Sequence, residues 1–385
     1  MKRGRKLFVL MVCLAAVGWL GGSAFASCVT PTGAQVIVWH AGSLSTAFTA
    51  LETAFTCDTG IAVVDNSAGS LDMIREIVAG GQPADVVAPA DYQDIDLLLK
   101  PGGYANYTIK FAQGQMVLAY CIAATSTTTY PKAVCGGASG GVINFPHTSF
   151  SPSGPYYATG VPAAPTNWYS VLTTSYTSTT KPVVISTSNP NLDPSGYRAP
   201  MIFNLAQIYY DVPNLYNDLL EHVLVTPASG IANSTPSSYQ IGGASPVGAY
   251  DYSITYEHSA YANWQNDPNY FYVTLPEQIN LGYSSYNTTY NEAVVKVPDV
   301  TGNGLVTIPG TQVVWGVTIL KNAPNQSNAV QFLKYLLEPA GPGQTALIAD
   351  GPEPINVPSP YTAEVATEQE WKNIPAALQG YVYYP

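Results

Sequence analysis

The chain has 385 residues, enough for two or three domains of ordinary size, and its 46% apolar composition can fill real cores. Only 10% of the residues are charged and the net charge is −11, which excludes a nucleic-acid binder, because no basic stripe is present to neutralise phosphates. Bulk charge does not attract an anionic ligand either, so any such ligand must be held by local donors.

Residues 1–26 carry Lys2, Arg3, Arg5 and Lys6, then an apolar run from Leu7 to Leu20, then Ser23-Ala-Phe-Ala26. This is the pattern of a secretory signal peptide. The run is short for a permanent anchor, and the protein is expected to be secreted or cell-surface, outside the cytoplasm. Cys13 falls inside the signal, leaving Cys28, Cys57, Cys121 and Cys135. In an oxidising compartment an even count predicts two disulfides; proximity favours Cys28–Cys57 and Cys121–Cys135 among three pairings. The rival reading takes Phe25-Ala-Ser-Cys28 as a lipobox, with Cys28 lipid-anchored and Cys57 left odd, although Phe is a poor first lipobox residue.

Val36-Ile-Val-Trp-His-Ala-Gly-Ser-Leu44 reads as a strand, a small-residue turn and a helix, with Leu44, Phe48, Leu51 and Phe55 at helical spacing behind it. A helix start leaves backbone N–H groups unpaired at the positive end of the macrodipole, so Gly42 and Ser43 offer anion donors. After the β-branched run Ile61 to Val64, Ala-Gly-Ser-Leu recurs at Ala68 to Leu71, with Leu71, Ile74, Ile77 and Val78 on one helix face. Two such turns can converge on one ligand at a sheet edge; alternatively Ser43 and Ser70 merely cap their helices.

Ala84-Asp-Val-Val-Ala-Pro-Ala-Asp91 reads as a buried strand, with Asp91 as a cap for the helix holding Ile95 and Leu97 to Leu99. Phe111 to Tyr120 reads as a strand crossing into a second domain. The stretch 123–166 is rich in Gly, Ser, Thr and Pro and reads as a loop-rich insertion. It contains Gly137-Ala-Ser-Gly-Gly141, a literal hydrolase pattern, which makes a secreted serine hydrolase using Ser139 an alternative function. The strand before and helix after that strain such a serine into reach are missing. His147 and His222 have no nearby acidic partner, and there is no Cys/His metal cluster. A Tyr-rich surface protein without a small ligand is a further alternative, given 28 tyrosines.

Asn167-Trp-Tyr opens a helical segment and Pro182 to Ser186 a strand. The turn Ser188-Asn-Pro-Asn-Leu-Asp-Pro-Ser-Gly-Tyr-Arg198 then leads into a helix through Met201 to Tyr210, placing Asp193 at a third helix start. A carboxylate beside an anion is unfavourable: like charges about 4 Å apart repel by roughly 4 kcal/mol at an effective dielectric near 20. Asp193 must be a cap, be protonated, or coordinate a metal centre carried by the ligand.

His40-Ala-Gly-Ser-Leu44, Ala84-Asp-Val-Val-Ala-Pro-Ala-Asp-Tyr92, Asn189-Pro-Asn-Leu-Asp-Pro-Ser-Gly-Tyr-Arg198 and Gly316-Val-Thr-Ile-Leu-Lys-Asn-Ala-Pro-Asn325 together resemble the archaeal-type tungstate/molybdate-binding proteins of ABC importers, in order from about Val36 to Pro358. The resemblance implies an α/β, two-lobed periplasmic-binding-protein fold of type II, each lobe a mixed sheet flanked by helices, with the oxyanion in the interlobe cleft. It implies no enzymatic activity and no cofactor. The ligand it implies is tungstate or molybdate, and the expected partner is an ABC permease through which a monomeric protein meets the membrane. Ser43 and Ser70 become hydroxyl and N–H donors, with Gly42 and Tyr197 beside them, and Asp193 approaches the tungsten or molybdenum itself, since a six-coordinate metal tolerates an anionic oxygen ligand where sulfate does not.

The family pattern Asp-Tyr-x-x-Glu-Tyr is met here by Asp251-Tyr-Ser-Ile-Thr-Tyr256, so Thr255 stands where a second carboxylate is expected. Either Glu257 substitutes, or one carboxylate suffices, or Thr255 donates to a different oxyanion such as sulfate; Glu257 is otherwise a solvent-facing charge beside His258. Tyr270 to Leu275 and Val294 to Val297 are β-rich, Val313 to Leu320 is a buried strand, and Ala329, Phe332, Leu333 and Leu336 mark an amphipathic helix. Lobe 1 is expected at 27–112 plus 298–385 and lobe 2 at 113–297. Asn106, Asn233, Asn287 and Asn325 begin Asn-x-Ser/Thr triplets.

Overall fold

The computed structural model describes residues 28–121, 145, 150–157, 159–173, 183, 185–223, 252–267 and 269–385. The signal segment, Cys135, the Ser139 motif, His147, Asn233 and Asp251 lie outside the described residues, as does the side chain of Cys121. Two sheets carry the architecture. In the larger, β1 (Gln35–Ala41) pairs in parallel with β2 (Ala62–Ala68) and β3 (Val86–Ala88). The helices α1 (Ser45–Thr59) and α2 (Ser70–Val78) make the crossovers between them. The short helix α3 (Tyr92–Asp94) leads toward β4 (Ile109–Gly114).

The smaller sheet begins at β5 (Met116–Cys121), after which come helix α4 (Trp168–Leu172), β6 (Ile185–Ser186), α5 (Pro194–Tyr210) and α6 (Leu215–Glu221). It continues with β7 (Tyr252–Tyr256), α7 (Glu257–Asn266) and β8 (Tyr270–Thr274), in strand order β6-β7-β5-β8. Helix α8 (Asn287–Tyr290) precedes a separate hairpin of β9 (Val294–Pro298) and β10 (Leu305–Pro309). The chain then returns to the larger sheet as β11 (Val313–Ile319), antiparallel to β3 and β4, followed by α9 (Gln326–Leu337) and the short strands β12 (Glu353–Pro354), β13 (Ala363–Glu364) and β14 (Val382–Tyr383).

The cores follow the apolar periodicity. Every residue of β11 is buried, as its unbroken apolar run requires of a central strand covered on both faces. Phe48 and Phe55 of α1 meet Phe332 of α9 at 6.2 and 5.3 Å between ring centroids; each such buried ring stabilises the layer by about 2–3 kcal/mol. Helix α1 stops at Gly60, whose left-handed φ of 69° and close approach to the Thr30 carbonyl admit no side chain. Beside that stop, Cys28 is bonded to Cys57. The Cys28 sulfur is thereby committed to a disulfide, and the lipidated reading of Cys28 is set aside.

The expected single strand Phe111 to Tyr120 is two strands in two sheets, broken at Gln115. The apolar pattern runs through the break, so periodicity alone could not reveal it. A second crossing runs beside the first: Met116 N–H donates to the Asn280 carbonyl (2.9 Å) and Val313 N–H to the Leu281 carbonyl (2.7 Å). Buried amides tie the two crossings together, with Asn280 Nδ2 donating to Gln115 Oε1 (2.7 Å) and Gln115 Nε2 to Glu257 Oε2 (2.7 Å). Glu257 is buried in this hinge, not solvent-facing, because its carboxylate accepts from Gln115 and from the Tyr157 backbone.

Candidate functional site

The first Ala-Gly-Ser-Leu turn is a 3-10 turn, Gly42–Leu44, between β1 and α1. Gly42 is exposed and Ser43 half-buried. Neither Ser43 nor Ser70 caps its helix. Ser43 Oγ instead accepts from Trp315 Nε1 of β11 at 3.0 Å, which leaves its own O–H free to donate. Ser70, fully buried, accepts the Ala90 N–H at 2.9 Å.

The α2 start is not the free anion cradle expected of it. The Leu71 and Asp72 N–H groups donate to the Leu192 carbonyl at 3.0 and 3.3 Å, so a turn from the smaller-sheet unit already occupies these donors. The approach is close: a Cβ on Gly69 would lie 2.4 Å from the Leu192 oxygen and 3.3 Å from the Asp193 Cβ. Asp193 thus stands beside the α2 start. One of its oxygens caps α5 through Ser195 N–H (3.2 Å) and the other accepts from Ser188 Oγ (2.7 Å). Burial pushes its carboxyl above the usual range, opposed by those hydrogen bonds and by Arg198.

Next on α5, Tyr197 and Arg198 reach across to the larger-sheet unit. Tyr197 donates to Asp91 Oδ2 (2.7 Å), and Arg198, 1% exposed, pairs with the same oxygen at 3.1 Å. Arg198 also donates to the Ala90 carbonyl (3.0 Å) and the Tyr256 hydroxyl (2.6 Å). One guanidinium faces two buried carboxylates, Asp91 and Asp94, and burial together with the Asp91 charge raises Asp94 well above its ordinary range. Tyr256 and His258 lie against Trp315, at 4.9 and 5.4 Å between centroids, and His258 Nε2 donates to the Ser43 carbonyl at 3.0 Å. Burial lowers the His258 pKa to about 4.

Ser43, Ser70 and Tyr197 are therefore joined in one interlobe network through Trp315, Ala90, Asp91, Arg198, Tyr256 and His258, while Asp193 stands beside Gly69 with its hydrogen bonds kept to Ser188 and Ser195. Thr255 is half-buried, and strand alternation sends it to the face opposite Tyr256. Glu257 belongs to the hinge. Sequence patterning does not mark Arg198 and His258 as functional; the available signal for the first is that it is one of two arginines, with Arg75, beyond residue 26. A separate cavity of about 520 Å³ is lined by Tyr92, Lys110, Gln113, Tyr157, Gln312 and Glu353 among others, and none of the sequence-predicted residues borders it. Its Lys110 is engaged by Glu364 at 3.4 Å and rests on the Tyr92 ring, so it offers no free cation to an anion.

Two sheet units joined by paired crossings, with polar side chains meeting between them, form a two-lobed α/β architecture. The sequence model for bacterial extracellular solute-binding proteins matches residues 36–351, and the chain belongs to that family. It is 30% identical to the molybdate/tungstate-binding protein WtpA of Pyrococcus abyssi over 89% of this chain and 90% of that one. It is 29% identical to an uncharacterized solute-binding protein of Petrotoga mobilis over 87% of this chain and 88% of that one. Among solved structures, the periplasmic molybdate-binding protein of Azotobacter vinelandii overlaps 84% of this chain and 100% of its own, at 16% identity and a TM-score of 0.46. The chain is a solute-binding protein of the ABC-transporter type.

Proposed function

We propose that the protein captures tungstate or molybdate between its lobes outside the cytoplasm and delivers it to an ABC permease. The observation that carries this reading is Asp193, a carboxylate held at the interlobe gap beside the α2 start. A carboxylate there opposes a simple tetrahedral anion and suits a metal centre that can expand its coordination to include it. Ser43 O–H and the exposed Gly42 backbone supply neutral donors. Tyr197 acts by positioning, since its hydroxyl is spent on Asp91. The Leu192 carbonyl occupies the α2 donors, so ligand entry there requires the 189–193 turn to move, a displacement that hinge motion about Gln115 and 280–282 provides. Residues 1–26 act as the signal peptide, the mature protein is a monomer, and contact with the membrane is made through the permease.

Sulfate is the second reading, favoured by the Ser43 hydroxyl, a neutral donor that suits a tetrahedral oxyanion equally well. Calorimetric titration with tungstate, molybdate and sulfate separates the two. Tight tungstate or molybdate binding without sulfate binding is expected; sulfate binding alone would overturn the assignment.

A further inference from the structure

A second cluster of ligating groups lies on the face of the larger sheet that α1 covers. Parallel pairing sets Val38 beside Asp65 and His40 beside Ser67, so His40 and Asp65 point to the same face. Helix α1 lowers Glu52 onto them one turn beyond Phe48, whose ring lies 4.9 Å from that of His40. One donor atom from each of His40, Glu52 and Asp65 lies within 4.8 Å of the others.

The hydrogen bonding of this cluster is incomplete. His40 Nδ1 is 2.8 Å from the Ala41 carbonyl, which can only accept, so that nitrogen carries a proton. The other nitrogen, Nε2, faces Asp65 Oδ1 at 2.9 Å, a contact that needs a proton or a cation between the two. Glu52 is 8% exposed, and its Oε1 has no hydrogen-bond partner. A buried carboxylate with an unbonded oxygen, set within 4.8 Å of an imidazole nitrogen and a second carboxylate, is the kind of group a metal ion satisfies.

We propose that His40, Glu52 and Asp65 form a binding site for a divalent transition-metal ion, Zn²⁺ being the best match, distinct from the oxyanion cleft. One imidazole nitrogen and two carboxylate oxygens are a zinc ligand set with an open fourth position. Tetrahedral ligands bonded at about 2.0–2.2 Å stand roughly 3.3–3.6 Å apart, so the widest pair closes by up to about 1.5 Å, a movement that rotation of the Glu52 and Asp65 side chains would supply. Asp65, whose side chain is 42% exposed, gives the ion a way in and leaves a place for water. The ion would tie β1, α1 and β2 together around the Gly42–Leu44 turn, bracing the lobe-1 donor Ser43 independently of which oxyanion the cleft takes.

The test uses untagged, chelator-treated full-length protein. Titration with Zn²⁺ is expected to show one saturable equivalent and a rise in melting temperature of several degrees, and Co²⁺ to give visible d–d absorption from inner-sphere ligands. Asp65→Asn and Glu52→Gln are each expected to weaken Zn²⁺ binding by roughly a hundredfold and to abolish the Co²⁺ bands. No stoichiometric uptake, or equal uptake by the variants, would overturn the site. Asp65 is exposed, so Asp65→Asn decides the matter even where Glu52→Gln fails to fold.

Discussion

At the scale of single residues, Asp193 does two things that can be separated. Its oxygens cap α5 and hold Ser188, while its charge stands at the gap. Asp193→Asn keeps an acceptor at the cap, because Asn and Asp cap helices about equally, so unfolding stability should change by less than about 1 kcal/mol. Tungstate affinity should fall at least about tenfold while sulfate binding holds or improves; equal losses in calorimetry would mean the carboxylate does not touch the metal. Arg198 is the opposite case, a buried side chain whose polar contacts to Asp91, Ala90 and Tyr256 span the lobes. Arg198→Met strands Asp91 without its cation, and a loss on the order of 3–5 kcal/mol is expected in urea unfolding. A loss below about 1 kcal/mol would show that the pair does not hold the lobes together.

At the scale of elements, the decisive contact is between the α2 start and the turn 189–193. Gly69 has an ordinary φ of −63°, so Ala there costs nothing in backbone conformation. Its methyl would nevertheless meet the Leu192 carbonyl at 2.4 Å and hold the turn, with Asp193, away. Gly69→Ala should fold normally yet bind tungstate at least about tenfold more weakly, and small-angle scattering should show tungstate contracting the parent protein but not this variant. Unchanged contraction and affinity would mean this contact is not part of the clamp. The strand-turn-helix units around this contact were legible because apolar spacing and a small-residue turn are local signals: β1 with α1, β2 with α2, β11 and α9 all lie where the pattern puts them. The cap by Asp193 was legible for the same reason. What the pattern could not carry is pairing at a distance. Arg198 meets Asp91 only through the fold, Glu257 reads as a surface charge until Gln115 is seen to break a continuous apolar run, and His40, Glu52 and Asp65 meet only through the parallel register of β1 and β2.

At the scale of the whole molecule, closure is a protonation-linked event, because His258 of the smaller unit is buried against the Ser43 carbonyl of the larger one. Burial lowers its pKa from 6.5 to about 4, so the closed fold binds fewer protons at this site than a form in which the imidazole meets water. The stability that His258 contributes is full above pH 6.5 and is lost as the pH falls toward 4, through a window in which the exposed imidazole charges and the buried one does not. Between about pH 7.5 and 4.5 the loss amounts to about 2–3 kcal/mol. His258→Gln keeps an N–H donor for Ser43 and cannot titrate, so the difference in urea-unfolding free energy between wild type and variant should change by that amount over this range and stay flat above about pH 7. Carboxylates elsewhere titrate in both proteins and cancel from the difference. A difference that is flat across the whole range would show that the imidazole meets water in the folded protein, and that the lobes do not close on it.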